Sequence, residues 1–389
     1  MKAIVDTPDK VSQVDIFYEL GYQFIDVDNN EALKYANMSY TLASGLQDSL
    51  RVVKAILIQG SALRRMERLD EAISVSLKGL GVAKRNHFDT EFKILLNSIA
   101  IAYSLKAEYD KALDFHYQSL IIREMAGNKS EISIALNNIG FVYFKLRNYE
   151  QAVEYFNRSL ILRREVNDAY DLDRLLVNLG TCHIHLGHFE KAVDFIEEGL
   201  SLCKANCNDQ IRLEGLFSLG VSNFGLRNFD EAKIHFQQSL GIAKNINNIR
   251  FQAENSVYLG KIALQNRAFQ HAEQMLLDAE SLAKKSGYNQ LLLDSYKQFS
   301  ILYNDQKDFE RAAVNQRKYI GLKDSLIGED LVINIAKIQT KFQERVNLQT
   351  IADREETIAR QRAMNIAVAI IAVLAGALIF VLYHSIKVK

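Results

Sequence analysis

Alanine recurs every 40 residues along most of this chain, at Ala32, Ala72, Ala112, Ala152, Ala192, Ala232, Ala272 and Ala312. Three positions before it stands an aromatic in six copies: Tyr109, Tyr149, Phe189, Phe229, Phe269 and Phe309. Leu69 and Asn29 fill that place in the first two copies. Twelve positions before it stand Gly60, Gly140, Gly180, Gly220 and Gly260, with Leu20, Ala100 and Ser300 elsewhere. Eight positions after it stand Leu80, Leu120, Leu160, Leu200 and Leu240. Whole segments repeat with the same spacing, so that RNYEQAV at 147–153 returns as RNFDEAK at 227–233. A period between 20 and 50 residues is the signature of a solenoid or an array, and it overrides any domain count taken from length.

Residues 133–166 show what one unit builds. Leu136, Ile139, Gly140, Tyr143 and Phe144 recur at helical spacing, and Ala152, Phe156 and Leu160 do so after a break at Leu146-Arg147-Asn148. Each unit is therefore two antiparallel helices, A and B, joined by a short polar turn. Gly140 and Ala152 are small because helices crossing at about 8–10 Å need room where their backbones come closest. Tyr149 is expected to fill the wedge at the turn, and Leu160 to point toward helix A of the next unit.

A single proline, Pro8, in 389 residues fits a chain that is almost all helix. Thr7-Pro8-Asp9 reads as an N-cap, a proline at the first helical position and an early acid, which predicts a first helix from about residue 8. Equal numbers of basic and acidic side chains, 47 of each, argue against nucleic acid as a partner. Cys182, Cys203 and Cys207 are too few for a disulfide framework. The run CHIHLGH at 182–188, followed by Cys203 and Cys207, has the residue types of a zinc site. Its register assigns His183 to a packing position and His188 to a turn, so no metal is expected. No phosphate-cradling loop, HExxH or nucleophile motif is present, and neither an enzyme nor a cofactor is expected.

The unit resembles the tetratricopeptide repeat, which pairs a small residue and an aromatic on helix A with an alanine and an aromatic on helix B. The resemblance covers about residues 10–325. It departs from that family in its length of 40 rather than 34 residues and in lacking the proline at the unit's end. Turns between units are expected to rest on Gly127-Asn128, Asn167-Asp168 and the stretch 206–209. What the resemblance implies is an all-α, right-handed α-solenoid of about eight repeats over 1–327. It also implies a concave groove lined by the A helices, open to a protein or peptide ligand. The groove positions here hold Asn97, Asn137, Phe141, Phe144, Lys145, His185 and Phe224. An Asn amide can pair with a peptide backbone and an exposed Phe can take an apolar anchor; the alternative is that these rings are buried between neighbouring A helices. The family's carboxylate clamp needs Lys and Asn at two helix A sites, where this chain has Asn97/Ile101 and Asn137/Phe141.

Beyond the array, 328–362 reads as a connecting helix with apolar stripes at Ile335, Ile338, Phe342 and Val346 and at Leu348, Ile351 and Ile358. That pattern allows either coiled-coil self-association, as a homodimer, or packing on the last repeat. From Ala363 to Ile386 no Asp, Glu, Lys or Arg occurs. Those residues would span roughly 36 Å as a helix, against about 30 Å of bilayer hydrocarbon, which predicts a transmembrane helix over 363–386 and a tail of 387–389. The whole is similar to the sensor region of membrane-anchored bacterial signalling proteins such as histidine kinases, without their output domain. These readings predict a single-pass protein of the bacterial inner membrane. Arg345, Arg354, Arg360 and Arg362 before the span place the repeats on the cytosolic side, or in the periplasm if a signal peptide precedes them. Two functions are compatible with these features: a receptor or scaffold binding a partner in its groove, or the sensory input of a system whose output lies on another chain.

Overall fold

The computed structural model describes residues 9–326 apart from 26 and 204–207, together with Met364. Among these residues every regular element is an α-helix, and there are sixteen. They alternate as A and B partners. The first four pairs are α1 Lys10–Phe24 with α2 Asn29–Gly45, α3 Ser49–Arg65 with α4 Leu69–Arg85, α5 Asp89–Leu105 with α6 Tyr109–Ala126, and α7 Lys129–Lys145 with α8 Tyr149–Glu165. The next four are α9 Leu172–His185 with α10 Phe189–Leu202, α11 Asp209–Gly225 with α12 Phe229–Asn245, α13 Ile249–Gln265 with α14 Phe269–Ser286, and α15 Asn289–Asp305 with α16 Phe309–Leu326. The chain divides into two units, Met1–Ile327 and Gly328–Lys389.

The periodic small residues sit where the helices of a pair come closest. The first seven of the eight alanines are at most 2% exposed, and Ala312, in the last pair, is 8% exposed. A Cβ built on Gly140 would lie 2.7 Å from the Phe156 ring, and one on Gly220 2.6 Å from the Phe236 ring. Glycine on the A helix thus receives the side chain sixteen residues later, one turn past the alanine of the B helix. Where α5 carries Ala100 instead, the receiving residue is the smaller His116, which is fully buried. Burial drives the His116 imidazole down to about 3, with nearby Arg123 acting in the same direction. Leu200 packs onto Gly215 of the next A helix, as the expectation for the periodic leucines requires.

Of the expected turns between units, Gly127 and Asn167 are left-handed and Asn128 caps the helix that follows, while 206–207 lie outside the described residues. A left-handed residue follows nearly every helix at intervals of 20, at Gln47, Glu67, His87, Ala107, Gly127, Arg147 and onward to Lys307, and only three of these are glycine. After α2 the closing bonds are typical: Leu46 N–H to Leu42 C=O at 3.0 Å and Asp48 N–H to Ala43 C=O at 3.0 Å. The second is the six-to-one bond of a Schellman turn, which satisfies the carbonyls that a helix end leaves open. The turn is thus made by backbone geometry that recurs at most of the described junctions in residues of many types. The helix start shifts. Asp9 is the N-cap of α1, its carboxylate accepting from Val11 and Ser12 N–H at 3.1 Å each, in place of the expected Thr7.

The expected membrane location is corrected. Among the described residues no helix is long and apolar enough to cross a membrane. The described helices run to 14–18 residues and carry charged side chains between their buried positions. The connecting helix 328–362 with its self-association, and the span 363–386, lie outside the described residues except for Met364.

The helix seams and the turns can each be tested through stability. Ala192→Leu should overpack the α9–α10 approach and cost about 1–3 kcal/mol, while Glu190→Ala on the exposed side should change little; denaturant midpoints of the two variants check this. Gly187 is left-handed, with φ of 77°, and a Cβ added there would meet nothing within 4 Å. Gly187→Ala should therefore destabilise through backbone strain alone, by about 1 kcal/mol. Ala107→Gly, at φ of 58°, should shift the midpoint the opposite way.

Candidate interaction groove

A helices touch one another across the array, α1 with α3, α3 with α5, α9 with α11 and α13 with α15, whereas no B–B pair makes comparable contact among the described residues. The A helices therefore form the inner, more tightly curved face. On α7 the spacing of Asn137, Phe141, Phe144 and Lys145 puts them on one side of the helix. Phe141 is 38% exposed and stacks on Phe144 with centroids 6.3 Å apart. The Lys145 ammonium lies 5.0 Å from the Phe141 ring. From the next A helix, His185 meets the edge of Phe144 at 6.3 Å and stacks on Tyr149 at 4.1 Å, nearly parallel. Four of the seven expected groove residues thus form one patch spanning two repeats, with Tyr149 at its base. From its repeat position Tyr149 was expected only to fill the wedge at its own turn.

The two asparagines behave differently from each other. Asn97 Oδ1 accepts from the Asn138 amide at 2.8 Å, which ties α5 to α7. Asn137 Oδ1 is buried and has no hydrogen-bond partner among the protein atoms. An unpartnered buried carbonyl costs on the order of 1–3 kcal/mol, and a ligand N–H would remove that cost.

Phe224 belongs to a second cluster. Its ring contacts Phe229 at 5.3 Å and Tyr258 at 5.6 Å, both edge-on. With Lys261, Leu264, Gln265 and Ile301 it lines a cavity of about 440 Å³ between α11, α13 and α15. Lys261 holds its ammonium 4.3 Å above the Tyr258 ring. Burial lowers the Lys261 pKa, opposed by Asp294 and aided by Lys297, and burial raises the Tyr258 phenol to about 12. Glu254 is ion-paired with Arg250 at 2.9 Å. Burial raises its carboxyl, Arg250 opposes, and Asp294 and Glu214 add to the rise. On Lys145, partial desolvation lowers the ammonium, with Arg250 acting the same way and Glu214 against it. Residues from α7, α11 and α13 therefore lie within electrostatic reach across the inner face.

Within the zinc-like run, His183 holds the packing position its register assigned. His183 is buried and stacks on Phe195 at 5.4 Å; Cys182 is buried, and Cys203 is disulfide-bonded.

A tetratricopeptide-repeat family model matches residues 131–205. Comparison with curated protein sequences gives no match. Among solved structures, the apo quorum sensor NprR from B. thuringiensis aligns with a TM-score of 0.63 at 18% identity, over 83% of this chain and 90% of its own. The apo form of RapI aligns with a TM-score of 0.61 at 16% identity, over 80% and 98%. A Rap protein complexed with Competence and Sporulation Factor aligns with a TM-score of 0.52 at 14% identity, over 81% and 99%. At these identities the likeness is one of fold: a TPR-like helical array.

Sequence reading missed Asn138, Tyr258, Lys261 and the acids Glu214, Glu254 and Asp294. The acids were visible in register, six positions before Gly220, Gly260 and Ser300, but only when the repeats are superposed.

Burial lowers the His185 pKa, and Arg147 adds to it, so its neutral form is favoured. Its imidazole should titrate below the usual 6.5 in an NMR pH series. In Tyr149→Ala, which opens one face of the ring to water, the midpoint should move up toward that value.

Proposed function

We propose that this inner face is a binding groove for a peptide segment, extended or helical, supplied by a partner protein or as a free peptide. The observation that carries this reading is the patch of Phe141, Phe144, Lys145 and His185, continuous over two repeats beside the unpartnered Asn137 carbonyl. Aromatic anchors beside a backbone-pairing amide are what an apolar peptide side chain and its adjoining N–H require. Of the seven residues, Asn137, Phe141, Phe144, Lys145 and His185 would form the main contact. Asn97 would keep Asn138 in place, and Phe224 would contribute at the second cluster.

The similar arrays support the reading by analogy. One Rap protein was solved with Competence and Sporulation Factor. The Rap conjugation gene regulator of plasmid pLS20 was solved with the Phr* peptide, at a TM-score of 0.50 and 14% identity. A sensory role, in which occupancy of the groove switches an output on another chain, is a second reading favoured by the likeness to a quorum sensor. Both readings require the groove to bind, and neither asks the chain to be an enzyme.

Panning a random nonapeptide library displayed on phage against the full chain tests the groove. Wild type should enrich a family of peptides, and Asn137→Ala with Phe141→Ala should bind them at least about tenfold more weakly at unchanged helical content. A hot-spot residue is worth about 2 kcal/mol or more when truncated, so the pair is large enough to read. Equal binding by wild type and the double variant would sink the groove assignment.

A further inference from the structure

We propose that the groove is electrically polar and selects its peptide by the order of charges. The peptide's C-terminal end would face α3–α9 and its N-terminal end α11–α15. This rests on the groove reading above and adds the ligand's charge pattern and direction to it.

The repeat register defines the inner positions: six and three before the helix A glycine or its equivalent, and one, four and five after it. Six cavity-lining residues occupy the last three of these positions: Phe224, Lys261, Leu264, Gln265, Ile301 and Asp305. From α3 to α9 these positions hold five cations, Lys54, Arg64, Arg65, Lys145 and Arg174, and not one acid. From α11 to α15 they hold four acids, Glu214, Glu254, Asp294 and Asp305, against Lys261 and Lys297. The chain as a whole is neutral, so this is a segregation of charge along one face and not a reflection of composition.

Local partners reduce the polarity without reversing it. Arg174 is only loosely met by Asp171 at 3.9 Å. Arg64 is half-buried, its Nε unpartnered, and burial lowers its pKa, with Arg65 adding to that. At the other end Arg250 neutralises Glu254, while Glu214 accepts from the uncharged Gln210 amide at 2.6 Å. Asp294 has Lys261 and Lys297 within electrostatic reach. Within the α3–α9 stretch the cations are interrupted by the uncharged Ile94, Ile134, Phe141 and Phe144. A free peptide carries an ammonium at its N-terminus and a carboxylate at its C-terminus, which is the polarity this face complements. Charge order across an interface fixes register and penalises the reversed mode, where like charges meet.

Two phage libraries of nonapeptides with a random five-residue centre provide the test. One is flanked Lys-Lys at the N-terminal side and Glu-Glu at the C-terminal side, and the other has the flanks exchanged. Panned at low salt on the full chain, the first should be enriched. Its best members, made as synthetic peptides, should bind about tenfold or more tighter than the same centres with exchanged flanks. Raising the salt should shrink that ratio. Glu254→Gln with Asp294→Asn, helical content checked by circular dichroism, should reduce it to under about threefold. Equal binding of both orders, lost in the Asn137→Ala/Phe141→Ala variant, overturns the polarity and leaves the groove reading standing. Preference for the exchanged order overturns the direction proposed. Failure of both libraries to enrich on wild type overturns the polarity and the groove reading together.

Discussion

The close approach of helix A to helix B is the constraint on which the rest of the array depends. A glycine on one helix meets the side chain sixteen residues later on the other, and the periodic alanine lies one turn before that side chain. Where that side chain is as large as Phe156 or Phe236, a larger residue at the glycine site pushes the pair apart. The spacing between one pair and the next would then change, and with it the contact of successive A helices. Because each unit buries its faces mainly against its neighbours, stability is a sum over short-range interfaces. The inner face is a by-product of that stacking: the A helices are held near each other, and their outward-turned positions become the lining of a groove.

The junctions obey a shorter period than the packing. Left-handed residues stand 20 apart, at A–B and B–A turns alike, so the backbone treats both kinds of turn as the same object. A residue with a side chain loses roughly 1–2 kcal/mol in that conformation, yet Gln, Glu, His, Ala, Arg and Lys all adopt it here. The six-to-one bond and the docked helices on both sides outweigh the local preference. This explains how the chain dispenses with the proline that its resemblance led one to expect.

Much of the fold was legible in the sequence because packing positions admit few residue types. Ala152 with Gly140, and Leu200 against the following A helix, declare themselves by size at a fixed interval. The place of a turn was legible, as Leu146-Arg147-Asn148 between α7 and α8 shows, but its left-handed geometry was not, since Arg147 looks like any polar loop residue. The geometry of the candidate site was legible in part. Phe141, Phe144, Lys145 and His185 were expected on one face and do meet. That Tyr149 reaches across to His185, and that Asn97 is held by Asn138, depends on how two repeats sit together, which a single unit's pattern does not encode. The apolar stretch 363–386 carried the membrane reading by itself, and no described helix shares its character.

The groove holds polar and charged groups that are partly withdrawn from water. Asn137 presents a buried carbonyl without a donor, Lys261 sits over an aromatic ring, and Glu254, its carboxyl raised by burial, lies near two other acids and pairs with Arg250. Each arrangement gives up hydration, which is unfavourable for a charged or polar group unless a partner replaces the water. Stability alone would favour apolar residues at such positions, as Val177 and Val257 show at the places equivalent to Asn137. The array tolerates the polar choices because neighbouring interfaces are stable without them. In the proposed function a peptide N–H meets the Asn137 carbonyl and an apolar peptide side chain covers Phe141. That proposal accounts for polar choices on the inner face that the packing of the A–B seams does not require.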